Sequence, residues 1–194
     1  MNQKLVARNF SILVLGVVSA LAAADMTVTY RVKGSASGTY RGHTFVDSAT
    51  TIDLVMQTSS VQTISPTKQY AEWLVGLQME SDDFHVATTS HGYAASDRTA
   101  KTVEIGTLAA GSILQLGSSS FGNLNLANLY PLTSTSVLSL NTGPITGLYG
   151  SLQFSSFTSS SFQTILTTPE PGSSVAICLG LGGLALRRRK SRKA

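Results

Sequence analysis

Residues 25–168 predict an all-β body, an antiparallel β-sandwich of jelly-roll-like build, and three observations carry that expectation. Asp25 to Lys33 alternates, with Met26, Val28, Tyr30 and Val32 on one side and Thr27, Thr29 and Arg31 on the other, which is the period of a half-buried strand. Short apolar stretches of this kind recur between Gly- and Ser-rich punctuation, at a spacing close to that of sandwiches. Nothing in the segment has the spacing of an amphipathic helix.

Taken in order, Gly34-Ser-Ala-Ser-Gly38 reads as a turn or bulge, Thr39-Tyr40 and Phe45-Val46 as extended pieces, and Arg41-Gly42-His43 as the turn between them. Thr51 to Gln57 puts Ile52, Leu54 and Met56 together, opposite Asp53. These segments are the signature of an antiparallel sheet. The run from Tyr70 to Met79 is the most apolar in the body; Gly76 and the β-prone Tyr70, Trp73 and Val75 favour one buried strand over a helix. Phe84 to Thr88 and Thr102 to Ile105 read as strands, with Asp97-Arg98 in the loop between. Ile113 to Leu116, Val137 to Leu140, Leu148 to Phe154 and Phe162 to Leu166 bring the total to roughly ten. Gly122 to Leu129 looks like one coil of a solenoid, but no further copies follow at a fixed period, so no repeat architecture is expected. The Ser-rich patches at Ser118 to Ser120 and Ser155 to Ser161 fit exposed loops or the solvent face of a strand.

The two ends differ from this body. Lys4 and Arg8 precede the apolar run Phe10 to Val18 and the small residues Ala22-Ala23-Ala24, so residues 1–24 read as a secretory signal peptide. Ala22 and Ala24 occupy the recognition positions, and Asp25 begins the mature chain. Residues 169–194 contain Pro169-Glu170-Pro171, an uncharged run from Gly172 to Leu186, and the cations Arg187, Arg188, Arg189, Lys190, Arg192 and Lys193. As a helix the apolar run reaches about 22 Å, short of the roughly 30 Å hydrocarbon core, so it spans a bilayer only with snorkelling flanks or local thinning. The basic cluster holds the end on the cytoplasmic side.

These three parts, in this order, resemble the PEP-CTERM protein-sorting signal of Gram-negative bacteria, and the resemblance covers Pro169 to the end of the chain. It implies processing at Pro169-Glu170-Pro171 by an exosortase, a membrane cysteine transpeptidase of bacteria that make exopolysaccharide. It also implies a transient inner-membrane anchor and a final place at the cell surface or in the extracellular matrix. The string from Gly34 to Phe45 is similar to a Gly-x-Ala-Ser-Gly-x-x-x-Gly-x-x-Phe hairpin found near the mature start of β-rich PEP-CTERM proteins. Leu129 to Ser134 and Ser155 to Leu166 are similar to the same group, with Pro131 where an Asp is commoner. The resemblance implies an architecture and no reaction.

The formal charge of +4 belongs to the ends. Between Asp25 and Thr168, the cations Arg31, Lys33, Arg41, Lys68, Arg98 and Lys101 face more carboxylates: Asp25, Asp47, Asp53, Glu72, Glu80, Asp82, Asp83, Asp97 and Glu104. An acidic body does not suit a nucleic-acid partner. The one cysteine, Cys178, lies in the apolar tail and reads as a small apolar residue, so no intrachain disulfide is expected.

Chemistry-bearing patterns are few. Glu80, Asp82, Asp83, His85 and His91 lie close in sequence, and on a strand Asp83 and His85 share one face, the minimal arrangement for a metal-ligand pair or an oriented base. The simpler reading makes Ser81-Asp82-Asp83 a turn and His85 a solvated strand residue. Gly34-Ser35-Ala36-Ser37-Gly38 has Ala where a hydrolase elbow needs its serine. No phosphate, dinucleotide or calcium loop is present, and no cofactor is implied. Trp73, Tyr93, Tyr130 and Tyr149 suit either a sugar-stacking groove or the core. The expectation is therefore an exported, non-enzymatic protein of the cell surface or exopolysaccharide matrix. Its partners are the secretion translocon, signal peptidase, an exosortase and exopolysaccharide. The alternatives are a carbohydrate-binding module using Trp73, Tyr93 and Tyr149, and a hydrolase or metalloprotein using Asp83, His85 and His91.

Overall fold

The computed structural model describes residues 26–74 and 76–167. The expected signal peptide, its cleavage residues Ala22, Ala24 and Asp25, and the expected sorting signal from Pro169 to Ala194 lie outside the described residues. No helix among the described residues is long and apolar enough to cross a membrane.

The described chain is all-β and antiparallel. Its strands are β1 (Thr27–Tyr40), β2 (His43–Gln57), β3 (Val61–Ser65), β4 (Lys68–Trp73), β5 (Gln78–Glu80), β6 (His85–Ala87), β7 (Gly92–Asp97), β8 (Thr102–Thr107), β9 (Gly111–Gly117), β10 (Tyr130–Thr133), β11 (Ser136–Leu140), β12 (Ile145–Gly147) and β13 (Gly150–Thr167). Single 3-10 turns occupy Thr58–Ser60 and Ser119–Asn123. The first sheet runs β10-β13-β1-β2-β5-β6, with β12 also paired to β13, and the second runs β11-β9-β8-β7-β4-β3. Thr27 pairs with Thr167, so the first and last strands lie side by side and both ends leave the first sheet together.

The expected alternation in β1 is observed: Val28, Tyr30 and Val32 are buried, and across the hairpin so are Ile52, Leu54 and Met56. Arg41 and Gly42 form the turn with φ of 52° and 82°, the positive values at both central residues that a two-residue hairpin of matching twist requires. Gly34 to Gly38 is a bulged stretch of one continuous strand, with register shifts against β13 at Lys33/Gly34 and Ser37/Gly38. The Ser155 to Ser161 stretch belongs to β13, which continues through it.

The run from Tyr70 to Met79 differs from the expected single strand. β4 ends at Trp73, the chain bends at Leu74, and it resumes as β5 in the other sheet. Leu77 is fully buried in that crossing, where its N–H donates to Thr88 Oγ1 at 2.8 Å and its carbonyl accepts from Thr88 N at 2.9 Å. Contiguous apolarity here marks a change of sheet, with Leu74 exposed at the bend and Leu77 buried beyond it. Strands β3, β7, β10 and β12 were not expected. In β7 the buried positions are Gly92, Ala94 and Ser96, side chains too small to leave a hydrophobic alternation in the sequence.

Both sheets contribute to one buried apolar cluster. The first supplies Tyr30, Phe45, Phe154 and Phe162 among others; the second supplies Ala71, Ala94, Val103, Ile105 and Leu116. The segment after the second 3-10 turn adds buried Leu124 and Leu126. Leu126 is fixed from both sheets: its N–H donates to Gln69 Oε1 at 2.9 Å, and its carbonyl accepts from Tyr30 Oη at 2.8 Å. A buried backbone group left without such a partner is costly, so these two polar side chains earn their place inside.

Candidate functional site

The fold separates the residues that sequence proximity had grouped. Asp83 lies in the β5–β6 turn, where Ser48 Oγ donates to its carboxylate and its own N–H donates to Ser81 Oγ at 3.0 Å. His85 is exposed on β6 in the first sheet, directly opposite Glu80, with its ring 5.7 Å from that of Tyr149. The β6–β7 connection then crosses between sheets, and His91, at the start of β7, places Nδ1 at 3.2 Å from Glu72 Oε1. Among the described residues, no three of His, Cys, Asp and Glu stand together as a metal site.

The candidate aromatics are also dispersed. Trp73 is half-buried and packs against the core. Tyr130 lies against Phe121 and Phe162, at 6.0 and 6.3 Å between ring centroids, and donates to Ser120 O at 2.5 Å. Tyr149 is half-exposed in the β12–β13 turn, where its carbonyl accepts from Tyr40 Oη at 3.0 Å and from Arg41 Nε. Tyr93 alone belongs to a larger arrangement.

That arrangement occupies the outward face of the second sheet. Because side chains alternate along a strand, burial of Ala71, Ala94 and Ile105 turns Tyr70, Glu72, Tyr93 and Glu104 outward from β4, β7 and β8. Register then brings them together. Glu72 is opposite Tyr93, Tyr93 is opposite Gly106, and Ala95 lies between Tyr70 and Glu104. Tyr70 and Tyr93 therefore meet diagonally, with centroids 5.7 Å apart and planes inclined by 27°. A Cβ on Gly106 would meet two atoms of the Tyr93 ring at 2.8 Å, so this glycine is the floor on which the ring lies.

Each tyrosine donates to a carboxylate: Tyr70 Oη to Glu72 Oε2 at 3.1 Å, and Tyr93 Oη to Glu104 Oε1 at 2.5 Å. Burial, and then the bond to Glu104, pushes the Tyr93 phenol well above its ordinary range; burial and Glu72 raise Tyr70 in the same direction. Both hydroxyls thus stay protonated as donors. Lys68 on this face is matched by Asp97 at 3.3 Å, and His91 Nδ1 lies 3.2 Å from Glu72, so the face carries the carboxylates of Glu72 and Glu104 with one imidazole beside the first. The result is a polar aromatic platform about three strands wide. In the sequence Tyr93 stands out as a candidate, whereas Tyr70, Glu72 and Glu104 do not. The i, i+2 spacing of Tyr70 and Glu72 was the available signal, and it needed the β4–β7–β8 register to acquire meaning.

Comparison with protein-family models, with curated proteins and with solved structures returned no match to this chain.

Proposed function

We propose that the chain is an exported, non-enzymatic scaffold of the cell surface or exopolysaccharide matrix, built as a β-sandwich of jelly-roll-like topology. A core shared by the two sheets supports the sandwich reading, as do the sheet-to-sheet crossings at β2–β3, β4–β5 and β6–β7. The observation that carries the export reading is the agreement of boundaries: Met26–Thr167 is one compact unit, and the sequence places a signal peptide and a PEP-CTERM-like tail immediately outside it. In this reading the translocon and signal peptidase release Asp25, and Arg187 to Lys193 retain the tail in the cytoplasm. An exosortase then acts at Pro169-Glu170-Pro171. The body works by binding or bulk, and nucleic acid is not a partner.

Mass spectrometry of both termini, in a host with and without its exosortase, tests this proposal. Expected are a start at Asp25 and loss of the basic end only where the enzyme is present. A C-terminus unchanged between the two hosts, or a start upstream of Leu21, would overturn it.

A further inference from the structure

We infer that the outward face of the second sheet, centred on Tyr70 and Tyr93 and bounded by Glu72 and Glu104, is a binding platform for a polysaccharide of neutral or amino sugars. Three features carry this. The Tyr93 ring rests on Gly106 and stacks with Tyr70 at an inclination of 27°, so the two part-exposed rings form one aromatic cluster on this face. A pyranose ring presents its axial C–H bonds as a weakly positive apolar face, which suits the negative face of a π system. Its hydroxyls project around the ring edge, where the ionised carboxylates of Glu72 and Glu104 keep acceptor lone pairs beyond those that the tyrosine hydroxyls use.

Charge then selects among glycans. With Lys68 matched by Asp97 and His91 beside Glu72, the two carboxylates of Glu72 and Glu104 still outnumber the imidazole; they repel a uronate-rich chain, accept from neutral hydroxyls and attract a free ammonium, Glu104 foremost. Rows above and below the tyrosines are small or hydrogen-bonding: Gln62 pairs with Tyr70, Ser112 with Gly106, and Gln115 with Glu104. This suits a groove-less platform of the kind that accepts an internal stretch of polymer. The surface differs from the aromatic set expected from sequence, since neither Trp73 nor Tyr149 belongs to it.

This inference rests on the extracellular reading only for where the glycan is met. The test is therefore made on the purified full chain, independent of sorting. Migration is compared in native gels containing hydroxyethylcellulose, glycol chitosan or alginate. Retardation is expected in the first two and not in alginate. Tyr93→Ala and Tyr70→Ala should each weaken retention by about tenfold, the scale of one aromatic contact. Glu104→Gln should weaken glycol chitosan more than hydroxyethylcellulose. If Tyr93→Ala has lost its native circular dichroism, Tyr70→Ala and Glu72→Gln, at half-exposed positions, decide in its place. No retardation in any gel, alginate retention equal to the others, or retention untouched by the tyrosine variants would overturn the inference while leaving the sorting proposal standing.

Discussion

The first sheet turns large side chains inward, Tyr30, Phe45, Phe154 and Phe162 among them, whereas β4 and β7 of the second present Gln69, Ala71, Gly92, Ala94 and Ser96 on their buried side. Apart from Trp73, which packs against the core at the end of β4, the large residues of β4 and β7 point outward, as Tyr70, Glu72 and Tyr93. Bulk on one inner face opposite small residues on the other lets two layers interdigitate at native density. The difference teaches where to look for function: a strand that places its aromatics on the solvent side has them there for something other than the core.

The greatest expected effect tests the bulky side of this comparison. Phe154 is buried and touches three other rings, Phe45 at 6.5 Å, Phe84 at 6.2 Å and Phe157 at 5.9 Å between centroids. Phe154→Ala should destabilise the body by about 3–5 kcal/mol, since it loses the transfer energy and leaves a cavity. Urea denaturation measures it. A loss of under about 1 kcal/mol, the range of a surface change, would mean that the first sheet does not carry the core as described.

Next in size is the polar link between the sheets. Gln69→Leu strips the partner from the buried Leu126 N–H and should cost about 1–3 kcal/mol despite adding an apolar side chain. Tyr30→Phe does the same to the Leu126 carbonyl. Burial raises the Tyr30 phenol far above its ordinary pKa, so below about pH 10 its contribution is fully present, and it is lost as pH rises from there toward the folded-state value. Stability of the wild type should therefore fall more steeply with alkaline pH than that of Tyr30→Phe. Parallel slopes would contradict the burial argument.

The same comparison explains what was legible in the sequence. Bulky alternation made β1 and the second half of β2 readable, and the Arg41-Gly42 turn announced the hairpin between them. Gly92 to Asp97 gave no such signal, because small inner residues and one outward tyrosine do not look amphipathic. Tyr70 to Met79 misleads for the opposite reason: the chain stays largely apolar while changing sheets. The platform was legible only at Tyr93, as Glu72 and Glu104 reach it through pairing between distant strands. Asp83, His85 and His91 were adjacent in sequence, yet the β6–β7 crossing sends the two histidines to different sheets.

A smaller effect contrasts the outer faces. On the first sheet Arg31 forms a two-pronged pair with Asp53, at 2.8 and 2.7 Å, with side chains 33% and 20% exposed. Exposure screens such a pair, so Asp53→Asn should cost about 0.2–1 kcal/mol, and the cost should shrink in 1 M salt. A salt-independent loss would mean that packing of the arginine stem, rather than charge, holds β1 against β2 there.

The least effect is expected at His85, which is exposed on β6 opposite Glu80, with its ring near that of Tyr149 and its backbone carbonyl accepting from Tyr40 Oη at 3.1 Å. Neither contact survives or fails with the imidazole in a way that the core would feel. His85→Ala should therefore shift stability by under about 0.5 kcal/mol, the usual range for exposed positions. The same variant also tests the metal alternative. A site that binds zinc in the folded state raises Tm in proportion to occupancy, whatever the metal's later role. Thermal melts of the wild type with and without zinc should coincide, because Asp83 is engaged by Ser48 and His91 by Glu72 on separate sheets. A zinc-dependent rise that His85→Ala removes would require those side chains to gather after all, and the metalloprotein reading would then displace the scaffold.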